Sequence, residues 1–355
     1  MIASSKKARQ GNFFEDFRLG AIFEHATPRT VTTGDVAFYM ALTGSRFAVN
    51  CSDPFAASLG LRQAPLDDFL TFHIAFGKTV PDISLNAVAN LGYASCVFGA
   101  LVYPGDTIAV RSEIVGLREN SNRKTGTVYV HSKATNQRGE AIVDYVRWVM
   151  VRKRDPASEC PAASVPQLGT AVAATALNAP PELNASAYDF TAAGSVERWG
   201  DYEPGERIDH GDGMTVEEAE HAMATRLYQN TARVHFDQHA EKAGRFGRRL
   251  IYGGHVISIA RALSFNGLAN AFRIAALNGG RHVAPCFAGD TIYAWSEILA
   301  KEELTQRSDL GALRLRTIAA KDQSCADFPD RVGKDDDGYH PSVLLDIDYW
   351  VLMPR

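Results

Sequence analysis

Tyr-Pro-Gly-Asp-Thr-Ile at 103–108 returns as Phe-Ala-Gly-Asp-Thr-Ile at 287–292. A Gly-Asp pair between apolar runs is a turn signal between strands. Its return half a chain later raises the question of an internal repeat, which has to be answered before any fold is assigned. Working outward, the matches continue in order. Ser84-Leu-Asn-Ala-Val-Ala-Asn90 meets Ser264-Phe-Asn-Gly-Leu-Ala-Asn270, and Asp144 and Trp148 meet Asp346 and Trp350. Upstream, Asp16, Phe17 and Gly20 meet Asp201, Tyr202 and Gly205; His25 meets His210; Thr30-Val31 meets Thr215-Val216. Ala37, Leu42 and Val49 meet Ala222, Leu227 and Val234. The chain is therefore expected to carry one domain twice, at 1–152 and 196–355. Between the copies, 153–195 is rich in Pro and Ala and loses apolar periodicity, which is a linker signal.

Each copy has the same predicted elements. An amphipathic helix comes first (33–42; 216–228), with Glu217 and Glu218 placed for the positive end of the second. A more apolar helix follows (67–79; 254–265). Strands are predicted at 97–103 and 282–287, 107–117 and 291–300, 125–135 and 311–320, and 143–152 and 343–353. Tyr-Val-His-Ser-Lys-Ala (129–134) and Leu-Arg-Leu-Arg-Thr-Ile (313–318) alternate with period two, as half-buried strands do. A buried helix followed by antiparallel strands implies an α+β domain with a sheet wrapped on a helix.

The 355 residues fit about two domains. With 46% apolar and 22% charged residues and a net charge of −4, nothing in the balance argues for nucleic acid or anionic membrane. No run approaches a membrane span, and the start of the chain lacks a signal-peptide core and reads as a frayed tail. Five cysteines at wide spacing (Cys51, Cys96, Cys160, Cys286, Cys325) suggest reduced thiols in a cytoplasmic protein. Asp335-Asp336-Asp337-Gly338 lacks the spacing of a calcium loop and reads as a solvated insertion.

Duplication makes the chain its own control. A residue kept in both copies, such as His25 and His210, is read as structural. Chemistry present in one copy only is read as functional. The stretch Arg226-Leu-Tyr-Gln-Asn-Thr-Ala-Arg-Val-His235 supplies Tyr228, Asn230, Arg233 and His235; the first copy has Thr43, Ser45, Ala48 and Asn50 there. Gly253-Gly254 opens the second apolar helix, where the first copy has Phe69 against Gly254. One active site, built by the second copy, is expected. His235 suits a general acid/base. The N–H of Gly254 and its helix end suit a developing oxyanion. His235 and His239 have the i, i+4 spacing of a metal pair, but no third ligand is evident and no metal is expected.

These residues carry a resemblance. The order Asn230…His235 and then Ile251-Tyr-Gly-Gly-His-Val256 resembles the two motifs of the MaoC-like, R-specific enoyl-CoA hydratases of the hot-dog fold. The stretches at 11–20, 76–86 and 227–236 are similar to the mesaconyl-CoA hydratase family within it. The resemblance implies a double hot-dog fold, an inactive first copy and a catalytic second one. It implies reversible hydration of an α,β-unsaturated dicarboxylic acyl-CoA, with the thioester as substrate, no cofactor, and assembly as a homo-oligomer. Catalytic roles fall on His235, Asn230 and Gly254, and substrate contacts on Tyr228, Gly253, Arg233 and Arg226, with Arg46 as another candidate for the distal carboxylate. Arg245, Arg248, Arg249, Arg281 and Lys242 are candidates for the CoA phosphates that sequence alone does not rank. The motif's usual aspartate is Asn230 here, which takes no proton and can only orient by hydrogen bonds. A straight-chain enoyl-CoA hydratase, a thioesterase and an acyl-CoA-binding module are the competing functions.

Overall fold

The computed structural model describes residues 7–8, 10–305, 307–332 and 338–355. The Asp335–Asp337 run and most of the N-terminal tail lie outside the described residues. The first half contributes strands β1 (Ile22–Thr30), β2 (Ala87–Phe98), β3 (Thr107–Glu119), β4 (Thr125–Thr135) and β5 (Ala141–Arg152). The second contributes β6 (Arg207–Asp209), β7 (Met214–Thr215), β8 (Arg273–His282), β9 (Thr291–Leu304), β10 (Arg307–Lys321) and β11 (Val343–Pro354). They form one antiparallel sheet in the order β1-β3-β4-β5-β2-β8-β11-β10-β9-β6, with β7 on β9. The halves join where β2 pairs β8, through Ala94–Gly279, Cys96–Leu277 and Val97–Ala276.

One apolar helix per half packs inside the curve of this sheet. All of Asp68–Thr79 is buried. In Gly253–Leu263 the buried stretch runs from Gly254 to Ala262. Phe69, Leu70, Phe72 and Ile74 meet Val256, Ile257 and Ile259 in a single core, and burial of each such side chain contributes about 1.5–3 kcal/mol. The two helices and the wrapped sheets form the double hot-dog architecture of α+β class. The amphipathic helices also form, at Thr33–Thr43 and Glu218–Leu227.

Two strand expectations are corrected. The strands placed at 97–103 and 282–287 lie earlier, at Ala87–Phe98 and Arg273–His282. The β2 sequence is rich in Ala, Gly and Ser, which carry little strand preference, so packing rather than propensity makes it a strand. At Gly92 the close approach is explicit: a Cβ would sit 2.3 Å from Cζ2 of Trp148. Strand β1 was not foreseen. It is an edge strand containing Pro28, with a register shift between His25 and Arg29.

The segment 153–195 is packed down on the opposite face of the sheet. Val172, Leu183, Tyr188 and Ala193 join Phe272, Leu310 and Trp350 in a second apolar cluster. Trp350 Nε1 donates to the Val172 carbonyl at 2.9 Å, and Arg307 donates to the carbonyls of Pro180 (2.9 Å) and Leu183 (2.7 Å). His25 and His210 each bond a sheet serine, Ser112 and Ser296, at 2.8 Å.

Candidate active site

A cavity of about 690 Å³ opens between the halves. From the second half its wall takes Asn230, His235, Tyr252, Gly253 and His282. From the first it takes Phe76, Tyr93 and Arg147. The expectation that the second copy alone builds the site is therefore corrected. The curved sheet is continuous across β2 and β8, so β2 and the first central helix face the same space as the His235 loop.

That loop is set by the first half. The helix Glu218–Leu227 ends at Tyr228, and Gln229 then takes a left-handed turn at φ +56°. The turn lies against Gly77, where a Cβ would stand 1.8 Å from the Tyr228 carbonyl oxygen. Only glycine admits this approach. Asn230, 1% exposed, accepts the Ala232 N–H on its Oδ1 at 3.2 Å and stiffens the turn. The short helix Arg233–Phe236 follows and carries His235 into the wall.

His235 Nδ1 lies 2.8 Å from the Leu250 carbonyl oxygen. A carbonyl only accepts, so Nδ1 carries the proton and Nε2 the lone pair. Burial pushes the imidazole down to about 4, against a smaller opposing effect of the Leu250 hydrogen bond. The ring is neutral at pH 7 and is a proton acceptor there. It packs edge-on to Tyr252 at 5.5 Å. Tyr252 is held by its N–H to His221 Nε2 at 2.9 Å. His282, also pushed down to about 4 by burial, lines the same cavity and stands 3.4 Å from Tyr93 Oη.

The two central helices begin differently. In the first, Asp67 caps the end by accepting the Phe69 N–H at 2.8 Å. In the second, Tyr252 stands at the capping position and makes no side-chain cap bond, and among the described residues no other side chain accepts the N–H groups of Gly253 or Gly254. The N–H of Gly254, the counterpart of Phe69, is thus one of the four donors a helix end leaves over. Both glycines are required by neighbours. A Cβ at Gly253 would meet the His282 ring at 2.3 Å, and one at Gly254 the Tyr252 ring at 2.4 Å and His73 at 2.7 Å. The space a side chain at Gly254 would need is taken by these rings. Gly253 lines the cavity; Gly254 lies just beneath it.

Other expected contacts fall elsewhere. Tyr228 is wholly buried among Tyr39, His73 and Tyr252, with its hydroxyl 3.4 Å from His255 Nδ1, because its helix end drops into the core. It does not reach the wall. Arg233 is exposed and donates to Asn86 Oδ1 at 3.3 Å, and Arg226 is exposed on the last turn of its helix. Arg46 stacks on Phe265. None of these arginines lines the cavity. Arg249 pairs with Glu218, and Arg248 covers Phe287 at 3.9 Å. Arg281 does line the cavity, with exposed Arg245 and Arg152. Asp237 is extended between two four-residue helices, so His235 and His239 do not share a helical face and the spacing that suggested a metal pair loses its meaning.

The matching place in the first half is filled. A void of about 10 Å³ remains there, walled by Asn50, Asp68, Pro180, Leu183 and Arg273 among others. Asp68 stands where the second half has Gly253. Its carboxylate takes Arg273 at 2.5 Å and the Ile274 N–H at 2.8 Å.

A family model described as Mesaconyl-CoA hydratase matches residues 2–330. Beta-methylmalyl-CoA dehydratase of Chloroflexus aurantiacus is 62% identical over 351 residues, 99% of each chain. Mesaconyl-CoA hydratase of Cereibacter sphaeroides is 56% identical over 349 residues, 98% of this chain and all of the relative. The crystal structure of a putative MaoC domain protein dehydratase from Chloroflexus aurantiacus superposes with a TM-score of 0.96 at 62% identity, over 99% of both chains. A double-hotdog protein of Mycobacterium tuberculosis, 23% identical with a TM-score of 0.77 over 98% and 99% of the chains, shares the fold.

Proposed function

This chain belongs to the mesaconyl-CoA hydratase family, and from that premise we propose that it adds water reversibly across the C2–C3 double bond of mesaconyl-CoA, giving β-methylmalyl-CoA. One observation carries the chemistry: a neutral imidazole with its lone-pair nitrogen fixed shares a cavity with an uncapped helix start. His235 Nε2 takes a proton from water as the oxygen bonds to C3. The π electrons move to the thioester oxygen, and the resulting enolate is stabilised by the Gly253–Gly254 end of the helix. A preorganised donor of this kind contributes roughly 3 kcal/mol. The proton held on His235 Nε2 is then delivered to C2, which regenerates the thioester and the neutral imidazole. Asn230 orients the water or the product hydroxyl.

The acyl-CoA is the substrate, and no separate cofactor enters the scheme. Exposed Arg152, Arg245 and Arg281 at the cavity suit the CoA phosphates. The first half contributes wall rather than a second centre, since its own site is occupied by the Asp68–Arg273 pair. Loss of enoyl absorbance in purified protein, compared between mesaconyl-CoA and crotonyl-CoA, tests the activity; release of free CoA instead would indicate a thioesterase. His235→Ala is expected to lower kcat/KM by about 10²-fold or more. Near-full activity in that variant would remove the base assignment. Asn230→Asp, which keeps an acceptor for the Ala232 N–H, is expected to retain measurable turnover.

A further inference from the structure

Arg147 lies on β5 in the inward stripe Tyr145-x-Arg147-x-Val149-x-Val151, among otherwise apolar and aromatic side chains. It is 0% exposed and lines the cavity. Its guanidinium covers the Phe76 ring at 4.2 Å. Its hydrogen bonds go to neutral oxygens: Thr79 Oγ1 at 2.9 Å, Ser84 Oγ at 3.2 Å and Asn90 Oδ1 at 3.5 Å. Three contacts leave two of the five guanidinium N–H groups over, and Nε is buried without a partner. Among the described residues no ion pair joins Arg147 to a carboxylate. Two other arginines are buried and neither lines the cavity: Arg273 pairs with Asp68, and Arg261 donates to Ser264 Oγ and the Ala271 carbonyl and covers Phe47.

A buried cation without an anion is expensive. At the wall of an open cavity an anionic ligand can complete it. The remaining arginines of the cavity wall, Arg152, Arg245 and Arg281, are exposed. They suit phosphates that stay partly in water. Arg147 differs in depth, and its guanidinium keeps two N–H donors, on Nε and Nη1, for an anion. Its counterpart in the other half, one residue before the matching Trp350, is Tyr349, so the charge is particular to the half whose wall faces the open cavity.

We propose that Arg147 is the specificity-determining residue that binds the distal carboxylate of a dicarboxylic acyl-CoA through its unpartnered N–H groups. The assignment deepens the hydratase function and rests on it for the identity of the thioester. Arg233, Arg226 and Arg46 are thereby relieved of this role. Thr79, Ser84 and Asn90 position the guanidinium, and the Phe76 face fixes its plane.

Binding of unreactive saturated thioesters tests this separately from catalysis. Methylsuccinyl-CoA carries the distal carboxylate and butyryl-CoA lacks it. Calorimetric titration of the full-length protein is expected to show methylsuccinyl-CoA weakened at least 50-fold in Arg147→Met, with butyryl-CoA changed less than about threefold and Arg147→Lys intermediate. Equal weakening of both ligands, or none of the first, overturns the proposal. Should Arg147→Met fail to fold, the wild type is titrated with the distal methyl ester of methylsuccinyl-CoA. A loss of at least 50-fold relative to the free acid supports the assignment, and equal affinity overturns it. Failure of the wild type to consume mesaconyl-CoA would sink the hydratase function without touching either binding result.

Discussion

At the scale of single residues, the decisive feature is an imidazole kept neutral by its surroundings. An exposed histidine titrates near 6.5 and would lose half its basic form there. Burial holds His235 near 4, so the base form persists through the mildly acidic range. The acid limb of kcat/KM for hydration reports the free enzyme's base. It is therefore expected to stay flat from pH 8 to about 5.5 and to bend only nearer 4, in assays short enough that the protein stays folded. A bend at 6.5 would show that the working base is not this half-buried ring. The cost of a low basicity is a weaker drive for proton abstraction, which in the proposed scheme the helix start at Gly253–Gly254 offsets.

Elements place these residues, and at that scale the sequence was legible unevenly. Both central helices and six of the eight predicted strands lie where periodicity put them, because each presents one continuous apolar face to the core. Comparison of the copies also singles out His235 and the glycine pair as places where the halves differ, and for the glycines packing against neighbouring rings is itself a reason for the difference. Contacts between halves escaped. Spacing along a chain does not say which face of the other copy a loop will meet, so Tyr228 was assigned to the site when it belongs to the core. Phe76, Tyr93 and Arg147 went unnoticed for the same reason. For Arg147 a signal existed: a charge on an inward period-two stripe, with Tyr349 in the other copy. Gly77 is the sharpest case of this coupling. It sits in the first central helix yet makes room for the turn that carries Asn230 and His235. Gly77→Ala is expected to cost about 1–3 kcal/mol through overpacking and to lower hydratase kcat more than tenfold, although position 77 does not line the cavity. Gly169→Ala, where a Cβ would meet nothing nearer than 3.8 Å, serves as control. Unaltered turnover in Gly77→Ala would mean that the turn is not set by this approach.

For the whole molecule, fusing two copies has concentrated histidines where the halves meet. His73, His221 and His235 contact Tyr252, His235 and His282 line the cavity, His255 lies beside Tyr228, and His210 is buried against the sheet. Burial pushes His73 down to about 3, His221 to about 2, and the other four to about 4. Between 6.5 and these values the unfolded chain binds more protons than the native one, so stability rises with pH. It is complete above about 6.5 and erodes as pH falls, each buried histidine contributing up to roughly 1.4 kcal/mol per pH unit. Three groups act the other way: His131, raised by its hydrogen bond to Asp144, and two buried carboxylates. Asp68, pushed up to about 6 by burial despite Arg273, and Asp67, raised by burial, favour the native state as they take up protons. They offset a minority of the histidine effect, and Asp68 does so only below about 6. The carboxylates held low by partners, such as Asp309 beside Arg307, matter only below the ordinary carboxylate range. The melting temperature is accordingly expected to fall by several degrees per pH unit from 6.5 toward 5, and to change little from 8 to 7. Scanning calorimetry across that range checks the sign directly. A melting temperature that is level or rising from pH 6.5 to 5 would mean that these imidazoles are not held neutral in the folded protein, and the case for His235 as a ready proton acceptor would fall with them.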